Sequence, residues 1–261
     1  MKKFDVMKHY FFVLLVTIGF LASCSSSKTQ LTRVKAINIP ITDTISQKAE
    51  IENFITPYRE HISSEMSTVL AQNPADLVKD RNEKALNTAI GNFMADATFE
   101  IVNPLYKKRT GKDIDFVMLN WGGIRSDLPK GDVTVGSVYD IMPFENKVVV
   151  LTMSGEKVQE LLNYLIKERK PHPLSKQIDL QITKDGKVVD FNINGKPFDS
   201  KATYIVATSD YLMNGGDAMY FFENSLKVDE TDYKLRNVLI DYFKKIDVLD
   251  AKKDNRFEYK L

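Results

Sequence analysis

An abrupt change of hydrophobic period in the middle of the chain constrains the fold most. Lys147 to Thr152 (KVVVLT) is a continuous β-branched run, which reads as a strand. Ser154 follows, and from Val158 the apolar residues Leu161, Leu162, Leu165 and Ile166 recur at helical spacing, so a helix capped by Ser154 is expected directly after the strand. The reverse change comes next. Ile178, Leu180 and Ile182 alternate, Asp185-Gly186 turns the chain, and Val189, Phe191 and Ile193 alternate back, the pattern of a β-hairpin. Helices interleaved with strands and hairpins give an α/β or α+β class with a mixed sheet.

The same reading extends along the chain. Thr44 to Met66 is expected to be a long helix with Ile51, Phe54, Ile55, Tyr58, Ile62 and Met66 on one side and a kink or break at Pro57. Leu86 to Leu105 reads as a second helix, its inner face Ile90, Phe93, Met94, Ala97 and Ile101. Asp115 to Leu119 is a short apolar strand entering the turn Asn120-Trp121-Gly122-Gly123-Ile124-Arg125, and Val133 to Met142 holds a short helix. Asn194-Gly195 is a turn, and Tyr204 to Ala207 is a buried strand entering a second glycine loop, Tyr211 to Asp217. A last helix spans Val238 to Ile246, and Phe257 and Tyr259 alternate in a terminal strand. No linker is evident after residue 45, so residues 44–261 read as one domain.

Composition excludes several classes. With 261 residues, 43% of them hydrophobic and 27% charged, the chain is neither low-complexity nor wholly disordered. A formal charge of +1 argues against a nucleic-acid partner. The single cysteine excludes an intrachain disulfide framework and any cysteine-cluster zinc site.

That cysteine has another use. Lys2, Lys3 and Lys8 precede the apolar run Tyr10 to Leu21, which is too short to span a bilayer comfortably and ends in Leu21-Ala22-Ser23-Cys24. The pattern resembles the bacterial lipobox. It implies a signal peptide over residues 1–23, a lipidated Cys24, a flexible tether over residues 24–43 and a membrane-anchored protein of the cell envelope.

Candidate chemistry is sparse. Past the signal only His61 and His172 remain. His61 lies on a polar helical face, and His172 sits in the constrained loop Lys170-Pro171-His172-Pro173. No Asp-x-His, His-x-His, Gly-x-Ser-x-Gly or phosphate-loop pattern occurs, so no catalytic centre and no metal site are expected. What remains are loops suited to binding. Gly122-Gly123 brings backbone close to a ligand, and Arg125 projects from that turn, either to a phosphate or carboxylate or to a local acid such as Asp127. Asn214-Gly215-Gly216-Asp217 is either a second ligand loop or only a tight turn.

Three blocks in this order resemble one family. Leu119 to Arg125 is similar to the Asn-Gly-Gly-Gly-Ile-Arg motif of 5′-nucleotidase C-terminal domains. Met142-Pro143-Phe144-Glu145-Asn146 before KVVVLTMSG is similar to that family's Pro-Phe-Gly-Asn block, and Asp210 to Asp217 to its aromatic-x-x-x-Gly-Gly-Asp block. The resemblance covers roughly residues 45–245, and Asn87 to Ala97 is similar to the helix before the first block. It implies a four-layer α/β/β/α fold with mixed sheets. It also implies a base sandwiched between Phe144 and Tyr211, Asn146 at the base edge, Asp217 on the ribose hydroxyls and Arg125 on the phosphate. Asn120, Gly215 and Gly216 belong to the same binding blocks.

The departures are Trp121 and Glu145 where the motifs carry glycine, Tyr211 for a common Phe, Lys176 for a glycine, and Gly91-Asn92 where some members place a phosphate-binding arginine. Fewer phosphate contacts are therefore expected. In two-domain members a metallophosphatase domain carries two metals and performs the hydrolysis. The segment before Thr44 is far too short for one, so divalent metals are expected only on a metallophosphatase partner acting in trans, and this chain is expected to be inactive alone. A tethered nucleotide- or nucleoside-binding lipoprotein and a structural lipoprotein without ligand are the competing expectations.

Overall fold

A computed structural model of the chain describes residues 2–22, 31, 33–42, 44–80 and 82–260. Cys24 and the segment up to residue 30 lie outside the described residues. Two compact units are present, Met1–Glu52 and Asn53–Leu261. The first contains helix α1 (Lys2–Ala22) and the start of α2 (Ala49–Met66). Among the described residues no helix is long and apolar enough to cross a membrane.

After α2 the chain forms β1 (Val69–Asn73), α3 (Ala89–Thr110), β2 (Phe116–Val117), β3 (Gly131–Thr134), α4 (Val135–Ile141), β4 (Lys147–Ser154) and α5 (Gly155–Glu168). It continues through β5 (Ile178–Ile182), β6 (Val188–Ile193), β7 (Lys196–Pro197), β8 (Thr203–Ser209), α6 (Asp210–Met213), β9 (Lys227–Lys234), α7 (Leu235–Phe243) and β10 (Phe257–Tyr259). One four-stranded sheet has the order β2-β8-β4-β9, with β2 parallel to β8 and β4 antiparallel to both its neighbours. A second has the order β10-β5-β6-β7, with β10 parallel to β5 and the hairpin β5-β6 antiparallel. Strands β1 and β3 form a small antiparallel pair. The mixed sheets and α/β class read from the sequence are thus present.

The strand period explains the layering. Successive side chains of β4 point to opposite faces. Val148 and Val150 enter one core with Ile90, Met94 and Ala97 of α3 and Val238 and Leu239 of α7. Val149, Leu151 and Met153 enter the other, with Val158, Leu161 and Leu165 of α5 and Leu180, Phe191 and Phe257 of the second sheet. The central sheet is therefore covered on both faces, and its loops project from fixed strand ends.

Several boundaries differ from the sequence reading. The second long helix is Ala89–Thr110, not Leu86 to Leu105. Thr88 caps it by accepting from the Gly91 amide, and Gly111, at φ 75°, ends it. The last helix is Leu235–Phe243 rather than Val238 to Ile246, the strand at Asp115 shortens to Phe116–Val117, and the Tyr204 strand lengthens to Thr203–Ser209. Ser154 caps α5 as expected, accepting from the Lys157 amide. The largest differences concern α2. It begins at Ala49 rather than Thr44 and runs unbroken through Pro57, whose missing amide removes one bond from a ladder that the flanking turns sustain. Most of its apolar side is exposed: Ile51, Phe54, Tyr58 and Ile62 are all more than half exposed, while Ile55 and Met66 are partly buried.

Candidate functional site

A cleft of about 270 Å³ opens at the ends of β2, β4 and β8, lined by Asn120, Gly122, Gly123, Arg125, Phe144, Asn146, Tyr211 and Asp217. Phe144 and Tyr211, on distant loops, thus face one space, at 38% and 45% exposure, so neither ring is consumed by the core. Of the residues singled out from the sequence, Gly215 and Gly216 do not line it.

The first loop leaves β2. Its Leu119 amide donates to Pro173 O at 2.9 Å and its Trp121 amide to His172 Nδ1 at 3.2 Å. Trp121–Gly123 then makes one 3-10 turn. Gly123 is required there, because a Cβ would lie 2.8 Å from Asn120 Oδ1. Arg125 is fixed through its backbone, whose amide donates to Ile141 O at 2.9 Å, and its guanidinium carbon lies 5.6 Å from the centroid of the Phe144 ring. Asp127 accepts from the Lys79 amide at 2.6 Å. Trp121 packs its indole against the α3 side of the core and carries the Lys79 ammonium 5.2 Å from its ring centroid.

The second loop follows α4. The Phe144 carbonyl accepts from Arg236 Nη1 at 3.3 Å, and the Asn146 carbonyl accepts from the Leu235 amide at 2.9 Å, tying both to the start of α7. Glu145, in the glycine position of the motif, bonds Lys234 and Arg236. Those donors hold its carboxyl down at about 2.

The third loop follows β8 and closes on itself. Asp217 sits at φ 52°, in left-handed backbone. Its Oδ1 accepts from the Tyr211 hydroxyl at 3.0 Å, and the Asp217 amide donates back to that hydroxyl at 3.3 Å. Its Oδ2 accepts from Asn120 Nδ2 at 2.8 Å, a bond across to the first loop. A Cβ on Gly216 would fall 2.4 Å from Cε1 and 2.6 Å from Cδ1 and Cζ of Tyr211, so the glycine lies flat against that ring. The hydrogen bond to Asp217 raises the Tyr211 pKa, keeping the hydroxyl a donor.

Two supports were not visible as site residues in the sequence. His172 is 3% exposed; burial, then the nearby Lys170, lowers its pKa to about 4, so it is neutral and its Nδ1 is free to accept from the Trp121 amide. Tyr164 of α5 packs against His172, with centroids 5.5 Å apart, and donates to Asp217 O at 3.0 Å. Burial, then Glu168 and Asp217, pushes the Tyr164 hydroxyl up to about 12. The rigid Lys170–Pro173 segment was the only signal for the first, and Tyr164 lay hidden in a helix read for its apolar stripe.

Other singled-out positions serve elsewhere. His61 is exposed on α2 beside Glu65 at 3.4 Å. Asn92 is buried and donates to Asn87 Oδ1 and Lys252 O, both at 3.0 Å. The Lys176 amide donates to Asp96 Oδ1 at 2.7 Å. Among the described residues no group of three His, Cys, Asp or Glu is arranged to hold a metal ion.

A family model described as "5′-nucleotidase, C-terminal domain" matches residues 67–224. The protein UshA of Escherichia coli is 26% identical over 222 residues, covering 83% of this chain and 38% of that protein. A 5′-nucleotidase of Vibrio parahaemolyticus is 26% identical over 215 residues, covering 81% and 36%. The chain thus spans less than two fifths of the length of these relatives. The crystal structure of a 5′-nucleotidase precursor from Thermus thermophilus superposes with a TM-score of 0.65 at 23% identity, over 81% of this chain and 43% of that one, a likeness of fold.

Proposed function

The chain belongs to the family of 5′-nucleotidase C-terminal domains, and from that premise we propose that it is the nucleotide- or nucleoside-holding half of a 5′-nucleotidase-type hydrolase. The hydrolysis itself is assigned to a separate metallophosphatase acting in trans.

One observation carries the reading: two half-exposed aromatic rings from distant loops line one cleft with a carboxylate and a guanidinium. A flat heterocycle fits between rings irrespective of its hydrogen-bonding edge, and stacking on a protein aromatic is worth about 1–3 kcal/mol per base. The Asn146 amide reaches the base edge, and the Asp217 carboxylate accepts from ribose hydroxyls. Arg125 receives the phosphate side as a two-pronged donor. Held so, a phosphoester is presented in one orientation, which is the contribution a binding half makes to rate.

The envelope location belongs to the same proposal. Cys24 would carry the lipid that tethers the domain to a membrane, and Cys24→Ser is expected to move the protein from the membrane to the soluble fraction.

The decisive experiment is calorimetry of the soluble protein with adenosine and AMP. Binding is expected, and Phe144→Ala should weaken it about tenfold or more. Phosphate release from AMP is expected only after a metallophosphatase is added. Binding without release, whichever metallophosphatase of the same genome is supplied, would leave a tethered nucleotide-binding lipoprotein. No binding at all would sink the proposal.

A further inference from the structure

A second pocket, of about 620 Å³, shares Arg125 with the cleft; its other walls are Lys79, Trp121, Ser126 and Asp127. Resting on the reading of the cleft given above, we propose that this pocket takes the phosphate end of a nucleoside phosphate, with Lys79 as a second cation beside Arg125.

Charge sets the direction. Within the cleft the nearest carboxylate is Asp217, exposed and held by Tyr211 and Asn120. A phosphate on a ribose gripped by Asp217 is repelled by it and turns away. Arg125 belongs to both spaces, so a phosphate drawn to its guanidinium lies at the mouth of the second pocket. The net charge of +1 gives no long-range steering of an anion, so selectivity for phosphate has to be local.

The pocket is preorganised for this. Leu77 and Leu128 exchange two backbone hydrogen bonds, each 2.9 Å, which clamps the segment bearing Lys79 to the segment bearing Arg125. The pocket wall carries two cations, Lys79 and Arg125, against one acid, Asp127, whose Oδ1 accepts from the Lys79 amide at 2.6 Å, whereas the cleft sets Arg125 alone against Asp217. The Lys79 ammonium lies 5.2 Å from the centroid of the Trp121 ring and bonds Ile124 O, so its position is set by an aromatic face and a carbonyl. Trp121 occupies the position where the resembling motif has glycine. Here that side chain builds a pocket wall and seats a lysine on it. The ammonium, which donates to Ile124 O, and the guanidinium, whose Nη1 donates to Gly122 O at 3.4 Å, make a cationic wall suited to phosphate oxygens.

The test is the ratio of nucleoside to nucleotide dissociation constants for the full chain, measured by calorimetry at low salt with adenosine and AMP and with uridine and UMP. The nucleotides are expected to bind about tenfold more tightly, the effect of one charge-assisted contact. The ratio should fall towards one in Lys79→Met and recover in Lys79→Arg, with thermal unfolding confirming that both variants fold. Inorganic phosphate should compete with AMP and not with adenosine. A ratio near one in the unaltered protein, or a ratio that Lys79→Met leaves unchanged, would overturn the assignment while leaving the cleft's reading intact. Failure of every nucleoside and nucleotide to bind would overturn both.

Discussion

The loop after β2 and the loop after β8 wall the same cleft but are braced from different sides. The first, at Asn120 to Arg125, hangs from groups outside itself: Pro173 O, the buried His172 ring and Ile141 O. The second, at Tyr211 to Asp217, is braced mainly from within, by the Tyr211 hydroxyl against Asp217 and by Gly216 against the Tyr211 ring. An externally braced loop is as stable as its support. An internally braced one depends on its own sequence. One hydrogen bond, Asn120 to Asp217, joins the two systems.

The sharpest way to separate them is pH. The His172 pKa is lowered from 6.5 to about 4, chiefly by burial. The folded state therefore binds that proton less readily than the unfolded state does. Stability from this group is complete above pH 6.5 and falls as pH drops from about 6.5 towards 4, by on the order of 3 kcal/mol over the window. Urea unfolding at pH 7.5, 6 and 4.5 should show this slope, and His172→Gln should lack it, so that the difference between parent and variant carries it. Equal slopes in the two proteins would mean that the folded state does not hold His172 as a buried, neutral ring. In the second loop the hydrogen bond to Asp217 shifts Tyr211 upwards, away from this window.

The second loop breaks sterically instead. In Gly216→Ala the new Cβ arrives 2.4 Å from Tyr211 Cε1, so the ring must leave its place in the cleft wall. Nucleoside affinity is expected to fall about tenfold, the loss of one stacking face. Thermal stability should change little, because Tyr211 and Asp217 are exposed. Unchanged affinity would show that the cleft does not use the Tyr211 ring.

The same contrast of inner and outer support explains what the sequence made legible. Period locates a face but does not say what covers it. The stripes of α2 and α5 have similar spacing, yet Val158, Leu161 and Leu165 are buried while Ile51, Phe54, Tyr58 and Ile62 are not. Strand β9 (KVDETDYK) has no apolar alternation to betray it. It pairs with β4 at the edge of the sheet and carries charge instead. At the site, Asn120, Arg125, Phe144, Asn146, Tyr211 and Asp217 stand in motif blocks, and the fold brings them to one cleft. The brace between Tyr211 and Asp217 is local, and both residues lie in one block. His172, Tyr164 and Lys79 act from other elements, so only the assembled fold sets them beside the loops. Spacing leaves Arg125 open between an anion and Asp127, and Asp127 accepts from the Lys79 amide.

The smallest expected effect bears on the bond that joins the loops. Tyr211→Phe keeps the ring and removes the donor on Asp217 Oδ1. Two outcomes compete. If the hydroxyl orients the carboxylate, its loss weakens ribose binding. If Asn120 orients it through Oδ2, the loss only frees an acceptor that a ribose hydroxyl would otherwise have to share. Asn120 is 8% exposed and its bond to Asp217 is the shorter, 2.8 Å against 3.0 Å. A better-ordered donor holds the carboxylate more firmly, so Tyr211→Phe is expected to tighten nucleoside binding by about two- to threefold, within the net worth of one hydrogen bond. Asn120→Ala is expected to weaken it. A loss of affinity in Tyr211→Phe, measured by the same calorimetry, would assign the orientation of Asp217 to its own loop rather than to Asn120.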